Sequence, residues 1–175
     1  MYANLFGDFV KGNQYHHFSN KIIQGIELHR EIDNYFDQHS AITEAKRALY
    51  PFLPKVSAIA MDLYIDHLLA KNWSDYHDTN FAEFLESFYM HTSYYETEFS
   101  NEYVNLILGI KKYRWLDHYP YEYGLDKACQ GLSNRISFNN NLWDGLEYFK
   151  KHRVLVEQSF REFMLDANKI FNVLC

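Results

Sequence analysis

Apolar residues recur along this chain at helical rather than strand spacing. Advancing about 100° per residue from Asn20 to Phe36 gathers Ile22, Gly25, Ile26, His29, Asp33 and Phe36 on one side, flanked by Ile32. Glu27, Arg30, Glu31 and Asn34 fall on the other, with Arg30 expected in solvent. Ser19 or Asn20 is placed to cap the first free amides. His29 and Asp33, one turn apart, therefore interrupt an oily face. Val56 to Ala70, VSAIAMDLYIDHLLA, is apolar nearly all round, which predicts a helix buried on every side. Its ionisable groups are Asp62 and Asp66, four apart on one face, His67 beside them, and the weak acid Tyr64.

The remaining pattern predicts more helices and no strands. Leu5 to Gly12 reads as the end of a short helix closed by Gly12, with Asp8 as a cap or turn residue and His16 and His17 exposed in the loop beyond. Ser40 is expected to cap a helix through Leu49, ended by Pro51 and Pro54. A polar connection from Asn72 to Asn80 leads into a helix over Phe81–Glu98. Ser100 then caps one over Asn101–Leu116, followed by a short helix from Tyr121 to Leu132. A polar stretch from Ser133 to Asn141 contains Arg135. A last helix runs from Leu142 to about Val173, long enough to require a bend or break near His152.

Composition narrows the class. At 175 residues, 47% hydrophobic and 18% aromatic, the chain can bury a core without disulfides or metals to staple it. Three prolines and seven glycines leave few interruptions, and the expectation is one compact all-α domain, a bundle of about six to eight helices over residues 1–175. Two cysteines, Cys129 and Cys175, offer no metal-ligand spacing and fit a cytoplasmic protein. No stretch is long and apolar enough to span a bilayer, and a net charge of −6 disfavours nucleic acid, so neither membrane nor nucleic-acid partners are expected.

The chemistry concentrates on the two unusual helices. A carboxylate in an apolar interior must be neutralised, paired or bound to a metal. His29 alone reads as a hydrogen-bonded core histidine, Asp33 as its structural partner, and Asp62 as a helix-packing acid. Two helices that each aim acids and imidazole inward suggest instead a shared cation. No phosphate loop, nucleophile elbow or HExxH element is present, and an imidazole–carboxylate mix suits Mn²⁺, Mg²⁺ or Fe²⁺ better than thiolate zinc.

Three stretches carry a resemblance: Gly7-Asp8-Phe9-Val10-Lys11-Gly12, the run from Gly25 to Asp33 (GIELHREID), and the run from Asp62 to Trp73 (DLYIDHLLAKNW). In this order they resemble the bacterial acyl carrier protein phosphodiesterases, with looser likeness at Tyr113–Leu116 and Gly131–Arg135. The family resembles a divergent branch of the helical His-Asp metal-dependent phosphohydrolases. The resemblance implies hydrolysis of 4′-phosphopantetheine from holo acyl carrier protein. Its divalent ion, Mn²⁺ foremost, would be held by Asp8, His29, Asp33 and Asp62. Asp66 and His67 would be catalytic, with His67 as proton carrier, and Asp66 either ligates or orients. Arg135 is expected to meet the substrate phosphate. The resemblance also implies an apolar helix with a histidine upstream of Met1, which this chain is expected to lack.

The protein substrate is acidic, so a basic docking patch is expected at Lys111, Lys112 and Arg114 or at Lys150, Lys151 and Arg153; either set is also simply a solvated helix face. The alternatives are a sibling hydrolase acting on a nucleotide or other small phosphate ester, and a non-catalytic helical relic.

Overall fold

A computed structural model of the chain describes residues 5–91 and 99–171. Among them are eight α-helices and four short 3₁₀ turns, with no strand. The all-α expectation holds. The helices are α1 (Asn20–Gln38), α2 (Ser40–Leu49), α3 (Ser57–Lys71), α4 (Phe81–His91), α5 (Asn101–Tyr113), α6 (Glu122–Arg135), α7 (Gly145–Lys151) and α8 (Arg153–Phe171). The chain gathers into two compact units, one of residues 1–37 and 83–114, the other of residues 38–82 and 115–175.

In the first unit, α1, α4 and α5 join the 3₁₀ turn Phe6–Phe9. Phe6 is buried, and its ring meets Phe18, Phe99 and Tyr103 with centroids 5.4, 4.6 and 5.1 Å away. These edge and tilted contacts anchor the turn against α5. The serine cap before α5 forms as expected: Ser100 accepts the Tyr103 amide. The helix stops three residues short of the expected Leu116, because Arg114 turns left-handed (φ 49°). Arg114 pairs with Glu86 at 2.5 Å and lies over Tyr89, tying the end of α5 to α4. The expected continuation of α4 from Thr92 to Glu98 lies outside the described residues.

In the second unit α3 is central, packed against α2, α6 and α8. Ala60, Met61, Tyr64, His67 and Leu68 are all essentially inaccessible. Tyr64 donates its hydroxyl to the Gly145 carbonyl at 2.6 Å, so the one buried phenol on this helix is satisfied. The helix is not buried on every side, however. Ala58, Asp62 and Asp66, spaced by four, form a stripe that water reaches. Charges this costly to desolvate take the open stripe.

His39, not Ser40, occupies the N-cap of α2, and its side chain makes no cap bond. The expected break near His152 is real, separating α7 from α8. Helix α6 runs on through Arg135, which sequence places in the following polar stretch. No described helix is long and apolar enough to cross a membrane.

Candidate metal centre

Asp8, His29 and Asp33 come together in the first unit. Each offers a ligand atom, and these atoms lie within 4.8 Å of one another. His29 and Asp33 are one turn apart on α1, and Asp8 is brought in by the 3₁₀ turn Phe6–Phe9. His29 Nε2 is 3.0 Å from Asp8 Oδ1 and 3.0 Å from Asp33 Oδ2. Gly7 makes this approach possible: a Cβ there would stand 2.3 Å from Cδ2 of the His29 ring. The pair does not sit in an oily interior as the helical pattern predicts. The His29 side chain is 15% exposed, but Asp33 is 58% and Asp8 72% exposed. The face that is apolar at Ile22 and Ile26 opens to water at its acids.

The electrostatics follow from one aligned N–H. The hydrogen bond from His29 holds Asp8 below the ordinary carboxylate range, and the same bond raises the His29 imidazole above its ordinary 6.5. Asp33, equally near, moves the other way: desolvation pushes it up, opposed by His29 and helped by Asp8 and Asp37. A single Nε2 proton points at only one of the two acids, and it points at Asp8. Without a metal, the trio therefore favours the protonated imidazole between its two carboxyl groups.

The donor set fits a hard divalent cation, with one imidazole nitrogen, two carboxylate oxygens and open space for water. A metal must displace the proton on Nε2 before it binds there. Mn²⁺ affinity should thus rise with pH through the elevated His29 pKa, by about tenfold per unit, and level off above it. Isothermal titration between pH 5 and 8.5 checks this; an affinity that is flat or falls with pH contradicts it.

The other expected site residues belong to the second unit. Asp62 and Asp66 lie on the open stripe of α3. Asp66 is pushed up to about 7, chiefly by desolvation and then by Asp62. The residue as a whole is exposed, yet enough protein surrounds its carboxyl to disfavour the charge. His67 is 2% exposed, and its Nδ1 donates to the Tyr119 carbonyl at 2.7 Å while Phe149 presses edge-on at 5.3 Å. Burial lowers its pKa, so the ring is neutral at pH 7. A histidine so enclosed is poorly placed to trade protons with water, against the expectation that it carries them. Arg135 is exposed at the last turn of α6.

Sequence reasoning missed Arg30. Expected in solvent, it donates from Nη2 to the carbonyls of Val10 at 2.9 Å and Gly12 at 2.7 Å, and its guanidinium lies 4.7 Å from the Tyr15 ring centre. The available signal was its position directly after His29. Tyr119, whose carbonyl holds His67, gave no signal at all.

A model of the acyl carrier protein phosphodiesterase family matches residues 1–167. The chain belongs to that family. Among curated relatives, the acyl carrier protein phosphodiesterase of Enterobacter sp. (strain 638) is 26% identical over 162 residues, 92% of this chain and 84% of the relative. Those of Klebsiella pneumoniae (strain 342) and Yersinia enterocolitica are each 27% identical over the same shares. No solved structure matches.

Proposed function

We propose that this protein hydrolyses the phosphodiester joining 4′-phosphopantetheine to a serine of holo acyl carrier protein, releasing apo carrier protein and free 4′-phosphopantetheine. Family membership over residues 1–167 carries the reading, and the Asp8–His29–Asp33 trio supports the metal dependence proposed with it. Asp8 and Asp33 supply hard oxygen donors, and His29 supplies Nε2 once deprotonated. A divalent ion held there, Mn²⁺ foremost with Mg²⁺ or Fe²⁺ as alternatives, supplies a Lewis acid for a phosphate oxygen and a water of lowered pKa. In the net reaction water oxygen bonds to phosphorus, the phosphorus–serine oxygen bond breaks, and a proton passes to the serine oxygen. A proton-carrying role for Asp66 or His67 rests on the family resemblance; of the two, the Asp66 carboxyl, pushed up to about 7, has the acidity such a role needs at pH 7. Asp62 as a further ligand and Arg135 as a phosphate partner rest on sequence alone, as does a cytoplasmic location.

The test is incubation with holo carrier protein and Mn²⁺, followed by intact mass. Loss of the prosthetic group is expected, with slower turnover of nucleotides and other small phosphate esters; preferred turnover of nucleotides sinks the carrier-protein reading.

Both candidate docking patches contain ion-paired residues. Lys150 and Arg153 both pair with Glu122, and Lys151 pairs with Glu147. At the end of α5 Arg114 likewise pairs with Glu86, while Lys112 is exposed over Tyr113 and offers its charge to an acidic partner. Reversing Lys111 and Lys112 to glutamate should raise KM for holo carrier protein several-fold in 0.05 M salt and leave a small phosphodiester unaffected. Equal loss on both substrates contradicts docking there.

A further inference from the structure

We infer that Arg30 is a positioning residue that holds Asp8 in register to share a cation with His29. The inference rests on the proposed metal-dependent reading of the trio and adds a residue whose guanidinium bonds the backbone beside Asp8.

Asp8 sits on a four-residue 3₁₀ turn with no side-chain cap, a weak element on its own. Beyond the turn, Val10 is extended and the chain swings through Gly12 in the left-handed region (φ 56°). A ligand on so short a support wanders unless something outside the turn fixes it, and a site loose by an ångström binds poorly. Two features of α1 do the fixing. The His29 ring packs where the absent Cβ of Gly7 would be, immediately before Asp8. Arg30, the next residue on the helix, grips the carbonyls of Val10 and Gly12, two and four residues after Asp8. Its guanidinium also lies over Tyr15, farther along the same loop. The segment carrying Asp8 is thereby held to α1 on both sides of the acid, by neighbours of the histidine it pairs with.

A cation beside a metal site has a second possible effect, of opposite sign. As a charge, Arg30 opposes a positive ion, just as it opposes the imidazolium of His29. Removing it as a charge alone would strengthen cation binding. Removing it as a clamp weakens binding. The two roles separate cleanly in Arg30→Lys, which keeps the charge but lacks the planar fork and stacks poorly.

The experiment is Mn²⁺ titration of the metal-free protein, read by electron paramagnetic resonance of free Mn²⁺, for the unsubstituted protein, R30K, R30M, D8A and the D8A/R30M double variant. Circular dichroism of each variant checks its fold, and R30K carries the test if R30M unfolds. Both Arg30 variants should bind about tenfold more weakly, the scale of losing a second-layer support. Because Arg30 acts through Asp8, the double variant should bind no more weakly than D8A. The clamp is overturned if R30K binds like the unsubstituted protein, if R30M binds more tightly, or if the D8A and R30M losses multiply. Absence of Mn²⁺ binding by the unsubstituted protein overturns the metal reading and the clamp with it, an outcome distinct from the others.

Discussion

Replacing His29 with alanine should lower kcat/KM on holo acyl carrier protein on the order of 10³-fold, the several kcal/mol that a bound cation contributes to a phosphoryl transition state. His29 is the sole nitrogen donor of the trio and the contact common to its two acids. Without it Asp8 loses the hydrogen bond that keeps it ionised at low pH, and the two carboxyls are left to repel. The substitution puts a strong helix former in the middle of a 19-residue helix, so the loss should be confined to chemistry and metal binding. Steady-state kinetics at saturating Mn²⁺, with far-ultraviolet circular dichroism as the fold control, decide the matter. Activity within tenfold of the unsubstituted protein would contradict a catalytic cation held by His29.

The largest expected stability effect lies at Phe149. Its ring is fully buried against Tyr64 at 5.1 Å and His67 at 5.3 Å, with the Arg153 guanidinium over it at 5.4 Å. Truncation to alanine removes the transfer energy of the ring and leaves a cavity, about 3–5 kcal/mol for a buried phenylalanine. Domains of this size are stable by about 5–15 kcal/mol, so the melting temperature should fall by roughly 6–20 °C. Differential scanning calorimetry measures it. A fall of less than about 2 °C would show that the site collapses without a cavity, against the packing described.

The parts of this molecule legible in its sequence are those governed by periodicity. The spacing of Ile22, Ile26, His29 and Asp33 marks α1 and places its site pair on one face. The run from Val56 to Ala70 marks the central helix α3, and the length of the last helical pattern reveals the break at His152. Periodicity cannot say how wide the buried face is. It therefore puts Asp33, Asp62 and Asp66 in an oily interior, whereas each lies where an apolar face meets water. Nor can it see contacts that cross from one segment to another. Asp8 lies 21 residues from His29 and looks like an ordinary turn residue, entering the site through family resemblance rather than pattern. Arg30 points away from the apolar face by helical arithmetic, yet its length lets it curl onto the carbonyls of a loop 18 to 20 residues earlier. His67 shows the converse: adjacent to an open acid in sequence, it is turned about 100° from it and is buried.

The most direct test is anomalous diffraction at the manganese edge from crystals soaked in Mn²⁺ at pH 8.5, where the raised His29 imidazole holds its proton least within the titrated range. A single strong peak within coordinating distance of Asp8, His29 and Asp33 is the result expected. A protein that converts holo to apo carrier protein under the same conditions, yet shows no peak there, would contradict the account.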